Sequence, residues 1–331
     1  MRRLAGKIVV GGLLVALTTL VGCGGEGKDD TAGASSTPAG SKGVIAFSAL
    51  SLKNPFFATI AETMKQDAEK AGFTFEYHDA EENVEKQANH IDNYILKGVT
   101  AIVINPADRK AIGPAIKKAN AAGIPVFTND LQCVAEGIEI AGHAGTDNEQ
   151  GGELAGAAMI EVLGESGGEV AILHYQQAHS CVLRVKGFRT AIDAHNKENP
   201  DSQIKIVAEV EGGGARGKSL ERAAGLLTAH KNLAAIFAIN DPSALGAYTA
   251  LEQANRVGEV TIIGFDGALA GKKAIRDGKI YADPIQFPKK MAHVTIENIV
   301  KYLEGEDFEK VQLFPTALYR KSDAESDPDL Q

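Results

Sequence analysis

The sequence has no tryptophan and only three cysteines among its 331 residues, and aromatic residues make up 6% of it. Three cysteines are too few for a small scaffold that is held together by disulfide bonds. The 34 Lys and Arg residues form no dense basic stripe and are outnumbered by 43 Asp and Glu, which argues against a nucleic-acid-binding protein. The hydrophobic content of 44% excludes a wholly disordered chain, and the 23% of charged residues excludes a multi-span membrane protein.

Glycine, by contrast, is abundant, with 36 residues. A chain that is rich in glycine and poor in aromatics suits tight turns between strands and helices and close packing of helices on sheets. The length is sufficient for two domains of ordinary size.

The N-terminus has the pattern of an export signal. Three positive charges precede an apolar run over residues 8–21, which is too short to span a bilayer in the mature protein. The run ends in Leu20-Val21-Gly22-Cys23, which resembles the lipobox of bacterial lipoproteins. An ordinary signal peptide followed by a chance cysteine is the alternative. We predict a lipoprotein signal peptide over residues 1–22 and lipidation of Cys23, which would anchor the chain to a membrane outside the cytoplasm.

The next segment, residues 23–42, consists mostly of Gly, Ser, Thr, Ala and Asp and shows no apolar periodicity. Such a composition predicts a flexible tether between the lipid anchor and a folded body.

From Gly43 onwards, short apolar runs alternate with amphipathic stretches. The run Ala101–Ile104 is continuously apolar, as expected of a parallel strand that is buried on both faces. Strands are predicted over residues 44–47, 73–77, 101–104, 126–127, 169–174, 204–210, 235–239 and 260–265. Helices are predicted from Asn54-Pro55 and over residues 84–96, 107–122, 149–163, 182–197, 218–230 and 243–253. This alternation predicts an α/β protein with two doubly wound parallel-sheet lobes joined by a hinge.

Ligands of open parallel sheets bind at the carboxyl ends of the strands. The residues there are polar: Ser48 to Asn54, Asn105, Asn129-Asp130, His174-Tyr175, Asn240-Asp241, Asp266 and Gln286. No nucleophile at these positions is backed by a histidine and an acid, and no ligand spacing indicates a metal. We therefore predict a binding site that uses hydrogen bonds, and neither an enzyme nor a cofactor.

Seven motifs occur at or near these strand ends: Asn54-Pro55-Phe56-Phe57, Ala101–Pro106, Ala122–Val126, Gly145–Asn148, Arg184–Phe188, Phe237–Asp241 and Ile263–Gly267. In their order and spacing they resemble bacterial sugar-binding proteins of the ribose-binding type, the type I periplasmic binding proteins. The resemblance covers about residues 42–321 and implies a monomer that closes over a monosaccharide or related polyol and delivers it to the permease of an ABC importer. A sugar sensor for chemotaxis or a membrane kinase would share this binding chemistry.

The same resemblance implies an N-terminal lobe of residues 43–145 plus 288–316 and a C-terminal lobe of residues 146–287 plus 317–331. It also implies the residues that contact the sugar: Asn54, Phe56, Phe57, Asp130, Arg184, Asn240, Asp266 and Gln286. Aromatic planes suit the apolar C–H face of a sugar, and Asp and Arg make charge-assisted hydrogen bonds to its hydroxyls. For any single Asn or Asp, a turn or helix cap is the alternative role.

Two positions depart from the ribose-binding pattern. Leu131 stands where the family has arginine, and Gly214 aligns with an aromatic residue of the ribose branch. Ribose itself is therefore not the expected ligand. Nearby polar residues either compensate for the lost arginine and aromatic ring or are ordinary loop residues; they are His174, Tyr175, Gln176 and His179.

The segment Gly212–Ser219 reads GGGARGKS and fits the phosphate-binding pattern G-x-x-x-x-G-K-[ST] between a strand and a helix. The alternative function is accordingly a P-loop nucleotide hydrolase, with Asp241 as a possible acidic partner. The late position of the motif in the chain, the export signal and the family resemblance all weigh against it.

Cys133 and Cys181 follow Asp130 and precede Arg184, so both are predicted near the cleft mouth, on opposite lobes. Export permits a disulfide bond between them, which would restrain opening. Nothing in the spacing requires this bond, and two free, partly buried thiols are the preferred prediction.

Overall fold

The structure, a computed structural model, describes residues 40–330. The predicted signal peptide, the lipidation of Cys23 and nearly all of the predicted tether lie outside the described residues. Ser41 and Lys42 already bond to the body: the Ser41 hydroxyl accepts the Thr74 N–H at 3.1 Å, and the Lys42 N–H donates to the Gly72 carbonyl at 2.8 Å. None of the described helices is long and apolar enough to cross a membrane.

Strands and helices alternate along nearly the whole described chain. The strands are β1 Val44–Ala49, β2 Thr74–Asp79, β3 Ala101–Ile104, β4 Val126–Asn129, β5 Gly142–Thr146, β6 Gly168–His174, β7 Ile204–Glu211, β8 Leu233–Ala238, β9 Thr261–Ile263, β10 Ala282–Ile285, β11 Val311–Phe314 and β12 Ala317–Arg320. The helices are α1 Pro55–Lys70, α2 Val84–Lys97, α3 Gly113–Ala121, α4 Asn148–Leu163, α5 His179–Glu198, α6 Arg216–Ala229, α7 Asp241–Gln253, α8 Leu269–Arg276, α9 Pro288–Glu304 and α10 Lys321–Ser326.

The strands form two six-stranded sheets. The first has the order β11-β5-β4-β3-β1-β2, and all of its pairs are parallel. The second has the order β12-β10-β9-β8-β6-β7, and only β12 runs antiparallel to its neighbour. The predicted fold class, two doubly wound α/β lobes, is confirmed.

The chain passes between the two sheets three times, at residue 147 and over residues 286–287 and 315–316. Helix α9 packs on α1 and on strands of the first sheet, so the first lobe contains a late segment of the chain. The last strand, β12, in turn completes the edge of the second sheet. The lobe boundaries after residues 145, 287 and 316 remain a prediction from the family resemblance.

Local sequence explains where several elements begin. Helix α1 begins at Pro55, and the Asn54 side chain caps it by accepting the Phe56 N–H at 3.0 Å. The prediction of a helix over residues 107–122 is wrong at its start, because α3 begins only at Gly113. The Asp108 carboxylate accepts the N–H groups of Lys110 and Ala111, and this local turn replaces the first helical turn.

Strand β5 was not predicted as a strand. Its sequence, Gly142-His143-Ala144-Gly145-Thr146, contains one β-branched residue and two glycines, so its intrinsic strand preference is low. Its neighbours β4 and β11 hold it in the sheet by parallel pairing on both sides. Tertiary pairing therefore overrides local preference at this strand.

Helices α4 and α5 approach closely, and glycines at the contact make this possible. A side-chain carbon at Gly187 would overlap the Glu149 carbonyl oxygen, and one at Gly152 would overlap the Arg184 carbonyl oxygen. The contact between α4 and α5 therefore depends on the absence of side chains at these two glycines.

We expect Gly187→Ala to lower the free energy of unfolding by about 1–3 kcal/mol, because the backbone of α4 must move to make room for the methyl group. Gly225→Ala in α6 is the matched control, since no heavy atom lies within 4 Å of the added carbon. The control should instead gain about 0.5–1 kcal/mol from helix propensity. Urea unfolding followed by circular dichroism measures both variants. A Gly187→Ala protein as stable as the parent would contradict this account of the helix contact.

Candidate functional site

The carboxyl ends of strands from both sheets meet around a cavity. All eight residues predicted to contact a ligand line this cavity: Asn54, Phe56, Phe57, Asp130, Arg184, Asn240, Asp266 and Gln286. The other lining residues are Leu50, Ser51, Glu82, Leu131, Tyr175, Ala178, Ser180, Cys181, Gly213 and Gly214. The structure thus brings together lining residues that are up to 236 positions apart in sequence.

Phe56 and Phe57 give the cavity its aromatic wall. Each ring is 6% exposed, their centroids lie 5.4 Å apart, and their planes are nearly perpendicular at 89°. Because Asn54 and Pro55 begin α1 immediately before them, both rings sit in the first turn of the helix, beside the end of β1. The cavity therefore has two differently oriented aromatic surfaces at the same corner.

Asn54 and Asn240 are helix caps as well as lining residues. The Asn240 side chain accepts the Ser243 N–H at 2.9 Å and donates to the Gly214 carbonyl at 3.0 Å. In each asparagine the side-chain oxygen serves the helix cap. The amide nitrogen is then the group that can face a ligand. Each asparagine can therefore cap a helix and contact a ligand at the same time.

Arg184 lies in α5 and is 3% exposed. Its Nε donates to Asn148 Oδ1 at 2.8 Å, and its Nη1 donates to the Ile239 carbonyl at 2.6 Å and to Asp266 Oδ1 at 3.0 Å. The guanidinium also lies over the Phe265 ring, 3.8 Å from its centroid. These contacts hold the guanidinium in one position, and its Nη2 has no partner among the residues described.

Asp266 follows β9 in a strained backbone conformation with φ 108°, which is uncommon for any residue except glycine. The loop is held from behind by Asp241, whose Oδ2 accepts the Ala268 N–H at 2.7 Å. Burial raises the pKa of Asp266, while Arg184 and Gln286 hold part of that rise back by donating to its Oδ1. Such strain points to a position that is set by function rather than by local stability.

Asp130 follows β4 and also has a positive φ, of 58°. It is 4% exposed, and its Oδ1 has no hydrogen-bond partner among residues 40–330. Burial raises the pKa of Asp130 to about 7, with a further rise from Asp266 and an opposing effect from Arg184. A buried carboxylate oxygen without a partner calls for a hydrogen-bond donor from outside the chain.

Gln286 lines the cavity but is already engaged at both ends of its amide. Its Nε2 donates to Asp266 Oδ1 at 2.6 Å, and its Oε1 accepts the Thr146 hydroxyl at 2.7 Å. Its first role is therefore to position Asp266.

Of the four residues considered as compensation for Leu131 and Gly214, only Tyr175 lines the cavity. A carbon placed on Gly214 would lie 3.3 Å from the Tyr175 ring, so the tyrosine occupies the space beside this glycine. His174 instead faces Glu209, at 3.9 Å, and burial lowers its pKa.

Cys133 and Cys181 are both free thiols in the structure. Cys181 lines the cavity and is 5% exposed, and burial raises the pKa of its thiol to about 11. The thiol is therefore neutral and acts as a small apolar group in the cavity wall. Within the described part of the chain, no three His, Cys, Asp or Glu side chains come together as a metal site.

The glycine-rich segment after β7 does not have the features of a phosphate-binding loop. Ser219, the residue that would coordinate magnesium, is fully buried and donates its hydroxyl to the Gly212 carbonyl at 3.3 Å. Asp241 is buried beside Asp283, and burial together with this neighbouring carboxylate raises its pKa well above the usual range. Asp241 also accepts the Ala268 N–H, so both groups are buried and bonded to the protein itself, and neither is open to Mg²⁺ or a nucleotide.

Two lining residues, Glu82 and Ser180, are not among the polar strand-end residues predicted from the sequence. Glu82 follows β2 in a left-handed conformation with φ 60°, and its N–H donates to the Leu50 carbonyl at 2.9 Å. Its position after an edge strand is the one signal that could have identified it. Ser180 lies in the first turn of α5, before Arg184, and carries no comparable signal.

A family model described as a periplasmic binding protein domain matches residues 45–307. The chain therefore belongs to the periplasmic binding protein family. It is an extracytoplasmic solute-binding protein and not an enzyme, and the interpretation as a P-loop hydrolase is not supported.

Among its curated relatives is the ribose import binding protein of Escherichia coli strain K12, which is 33% identical over 265 residues, or 80% of this chain and 86% of the relative. Two solved structures are similar. A periplasmic solute-binding protein of an ABC transporter from Actinobacillus succinogenes, with bound D-allose, is 30% identical, covers 86% of this chain and 100% of its own, and has a TM-score of 0.77. An ABC transporter solute-binding protein from Mycobacterium smegmatis, with bound glycerol, is 32% identical. It covers 86% of this chain and 96% of its own, and has a TM-score of 0.78.

The raised pKa of Asp130 predicts how the stability of the ligand-free protein depends on pH. The folded state keeps the proton up to about pH 7, whereas the unfolded chain loses it near pH 4, so the unfolded state binds fewer protons between these values. The free energy of unfolding should therefore fall as the pH rises from 4 to 7. Asp130→Asn should make this fall shallower.

Urea unfolding at pH 4.5, 5.5, 6.5 and 7.5 measures this dependence. Asp201→Asn, at an exposed position in the second lobe, is the matched control and should keep the slope of the parent protein. Identical pH slopes for the parent and Asp130→Asn would show that Asp130 has the same pKa in both states.

Proposed function

We propose that the protein captures a monosaccharide or a related polyol in the cavity between its lobes and delivers it to the permease of an ABC importer. The observation that carries this proposal is the composition of the cavity wall. Three buried ionisable groups, Asp130, Arg184 and Asp266, face the same space as the two rings of Phe56 and Phe57.

A sugar matches this wall because it presents two kinds of surface. Its hydroxyls donate to carboxylates and accept from guanidinium groups, and these charge-assisted bonds are both strong and directional. Its C–H faces are apolar and pack on aromatic rings. Asp130 Oδ1 and Arg184 Nη2 provide one acceptor and one donor without partners among the described residues.

Binding should favour the closed arrangement of the lobes, because the polar groups come from both of them. Asp130 follows a strand of the first sheet, whereas Asp266 follows a strand of the second sheet. Only a ligand held between the two sheets satisfies both carboxylates at once, so closure and the full set of hydrogen bonds occur together.

The similar proteins support this class of ligand. The relatives include binding proteins for ribose, for ribose and allose, and for apiose, and the solved structures hold allose, fucose and glycerol. In this chain the cavity wall beside Asp130 is Leu131, which is apolar and 4% exposed. We propose a ligand that presents C–H groups, and no hydroxyl, toward Leu131.

A thermal-shift screen of pentoses, hexoses, deoxysugars and polyols tests the ligand class, with Mg²⁺–ATP and free amino acids as other solute classes. A ligand at 100 times its dissociation constant stabilises a protein by about 2.7 kcal/mol, which is readily visible. Stabilisation by a sugar or polyol alone supports the proposal. Stabilisation by Mg²⁺–ATP or an amino acid, with none by any sugar, would overturn it.

We expect Asp266→Asn to weaken sugar binding on the order of tenfold to a hundredfold, because a hydrogen bond to a charged group contributes about 1.5–3 kcal/mol. Asparagine keeps the shape of the side chain and tolerates positive φ, so the fold should be preserved. Titration calorimetry compares this variant with Arg184→Ala and with the surface control Lys301→Ala. Unchanged affinity in both cavity variants would show that the sugar binds elsewhere.

We further propose that Cys23 is lipidated and tethers the binding body to a membrane through residues 24–40. Cys23→Ser should release the protein from the membrane or leave it unprocessed, because the acyl chains are the only attachment proposed. Membrane fractionation combined with mass spectrometry of the mature N-terminus measures this. A Cys23→Ser protein that still sediments with membranes at its mature mass would contradict the lipid anchor.

A further inference from the structure

A closed ring of hydrogen bonds connects the ligand cavity to the segments where the chain passes between the lobes. Its members are Thr146, Asn148, Arg184, Asp266 and Gln286. All five side chains are buried, between 3% and 7% exposed. Arg184, Asp266 and Gln286 line the cavity, whereas Thr146 and Asn148 do not.

The ring can be followed bond by bond. The Thr146 hydroxyl donates to Gln286 Oε1 at 2.7 Å, and Gln286 Nε2 donates to Asp266 Oδ1 at 2.6 Å. Arg184 Nη1 donates to the same Asp266 oxygen at 3.0 Å, and Arg184 Nε donates to Asn148 Oδ1 at 2.8 Å. The Asn148 amide closes the ring by donating to the Thr146 carbonyl at 3.0 Å.

Two of the three crossings between the sheets belong to this ring. Thr146 ends β5 of the first sheet and Asn148 begins α4 of the second lobe, so they flank the first crossing at residue 147. Gln286 stands in the second crossing, between β10 and α9. A rotation of one lobe against the other must change backbone angles in these segments, and the ring bonds to both of them.

The third crossing is tied to the first by separate bonds. The Thr316 N–H donates to Gln150 Oε1 at 2.9 Å, and Gln150 Nε2 donates to the Thr316 carbonyl at 3.3 Å. The Asp147 N–H donates to the Phe314 carbonyl at 2.8 Å. All three crossings are thus held in one hydrogen-bonded arrangement, to which the ligand-facing pair Arg184 and Asp266 is connected.

We infer that Thr146 and Gln286 are positioning residues that couple occupancy of the cavity to the angle between the lobes. A ligand that fixes Asp266 and Arg184 also fixes the ring, and the ring stabilises the closed hinge. Opening the hinge would break the bond between Thr146 and Gln286 and expose both groups to water. The inference rests on the proposed sugar-binding function, since the ligand is what fixes the cavity end of the ring.

The Thr146 hydroxyl provides the sharpest test because Thr146 does not line the cavity. Thr146→Val keeps the shape of the side chain but leaves Gln286 Oε1 without the donor that it has in this structure. We expect sugar affinity to fall about threefold to tenfold, because a smaller share of the protein is in the binding-competent closed state. Thr146→Ser keeps the hydroxyl and should restore the affinity.

Lobe closure is measured directly by energy transfer between dyes on the two lobes, with and without the sugar found in the thermal-shift screen. Thr146→Val should shift the dye-to-dye distance toward the open value at subsaturating sugar, whereas Thr146→Ser should not. Thr63→Val in α1 is the matched control, a buried threonine whose hydroxyl donates to the Thr59 carbonyl of the same helix. It should leave affinity and distance unchanged.

Two results would overturn the inference. One is a Thr146→Val protein with the affinity and dye-to-dye distance of the parent. The other is an equal loss of affinity in Thr146→Val and Thr63→Val, which would indicate a general effect of stability. If no sugar binds the parent protein, the proposed function fails instead, and the dye-to-dye distance of the ligand-free variants still tests the ring.

Discussion

The cost of removing Arg184 and Asp266 from water is the constraint on which the rest of the site depends. A buried ion pair is tolerated only where further hydrogen bonds satisfy its remaining donors and acceptors. Here the Asn148 and Gln286 side chains and the Ile239 carbonyl supply most of them. Arg184 Nη2 is left without a partner among the described residues, and Arg184 lines the cavity. A polar group in the cavity would satisfy this donor.

This requirement also explains why the surrounding backbone is unusual. The two carboxylates that face the cavity, Asp130 and Asp266, both have positive φ. Behind Asp266, two further buried carboxyls, Asp241 and Asp283, lie together, and burial raises the pKa of Asp283 to about 6. Within this cluster Asp266 is held by Arg184 and Gln286, and Asp241 by the Ala268 N–H.

Much of this could be predicted from the sequence. Alternating apolar runs and helices predict two parallel sheets, and the strand ends of such sheets are the expected binding edge. The motif resemblance then identified eight residues that do line one cavity. Strand β5 was missed because its pairing partners, and not its own residues, make it a strand.

The hydrogen-bond ring could not be predicted, for a physical reason. Thr146 and Gln286 are 140 positions apart, and nothing in either local sequence indicates that their side chains meet. The direction of a side chain at a chain crossing depends on how both sheets twist and on which groups need partners. The engagement of Gln286 with protein groups at both ends of its amide likewise became visible only in three dimensions.

The order in which the chain visits the two sheets has a consequence for how the protein folds during synthesis. The last strand of the first sheet, β11, and the last strand of the second sheet, β12, are adjacent in sequence and come after residue 310. Neither sheet can therefore complete its edge until almost the whole chain has been made. Contacts between such distant segments form slowly because a long loop must close first.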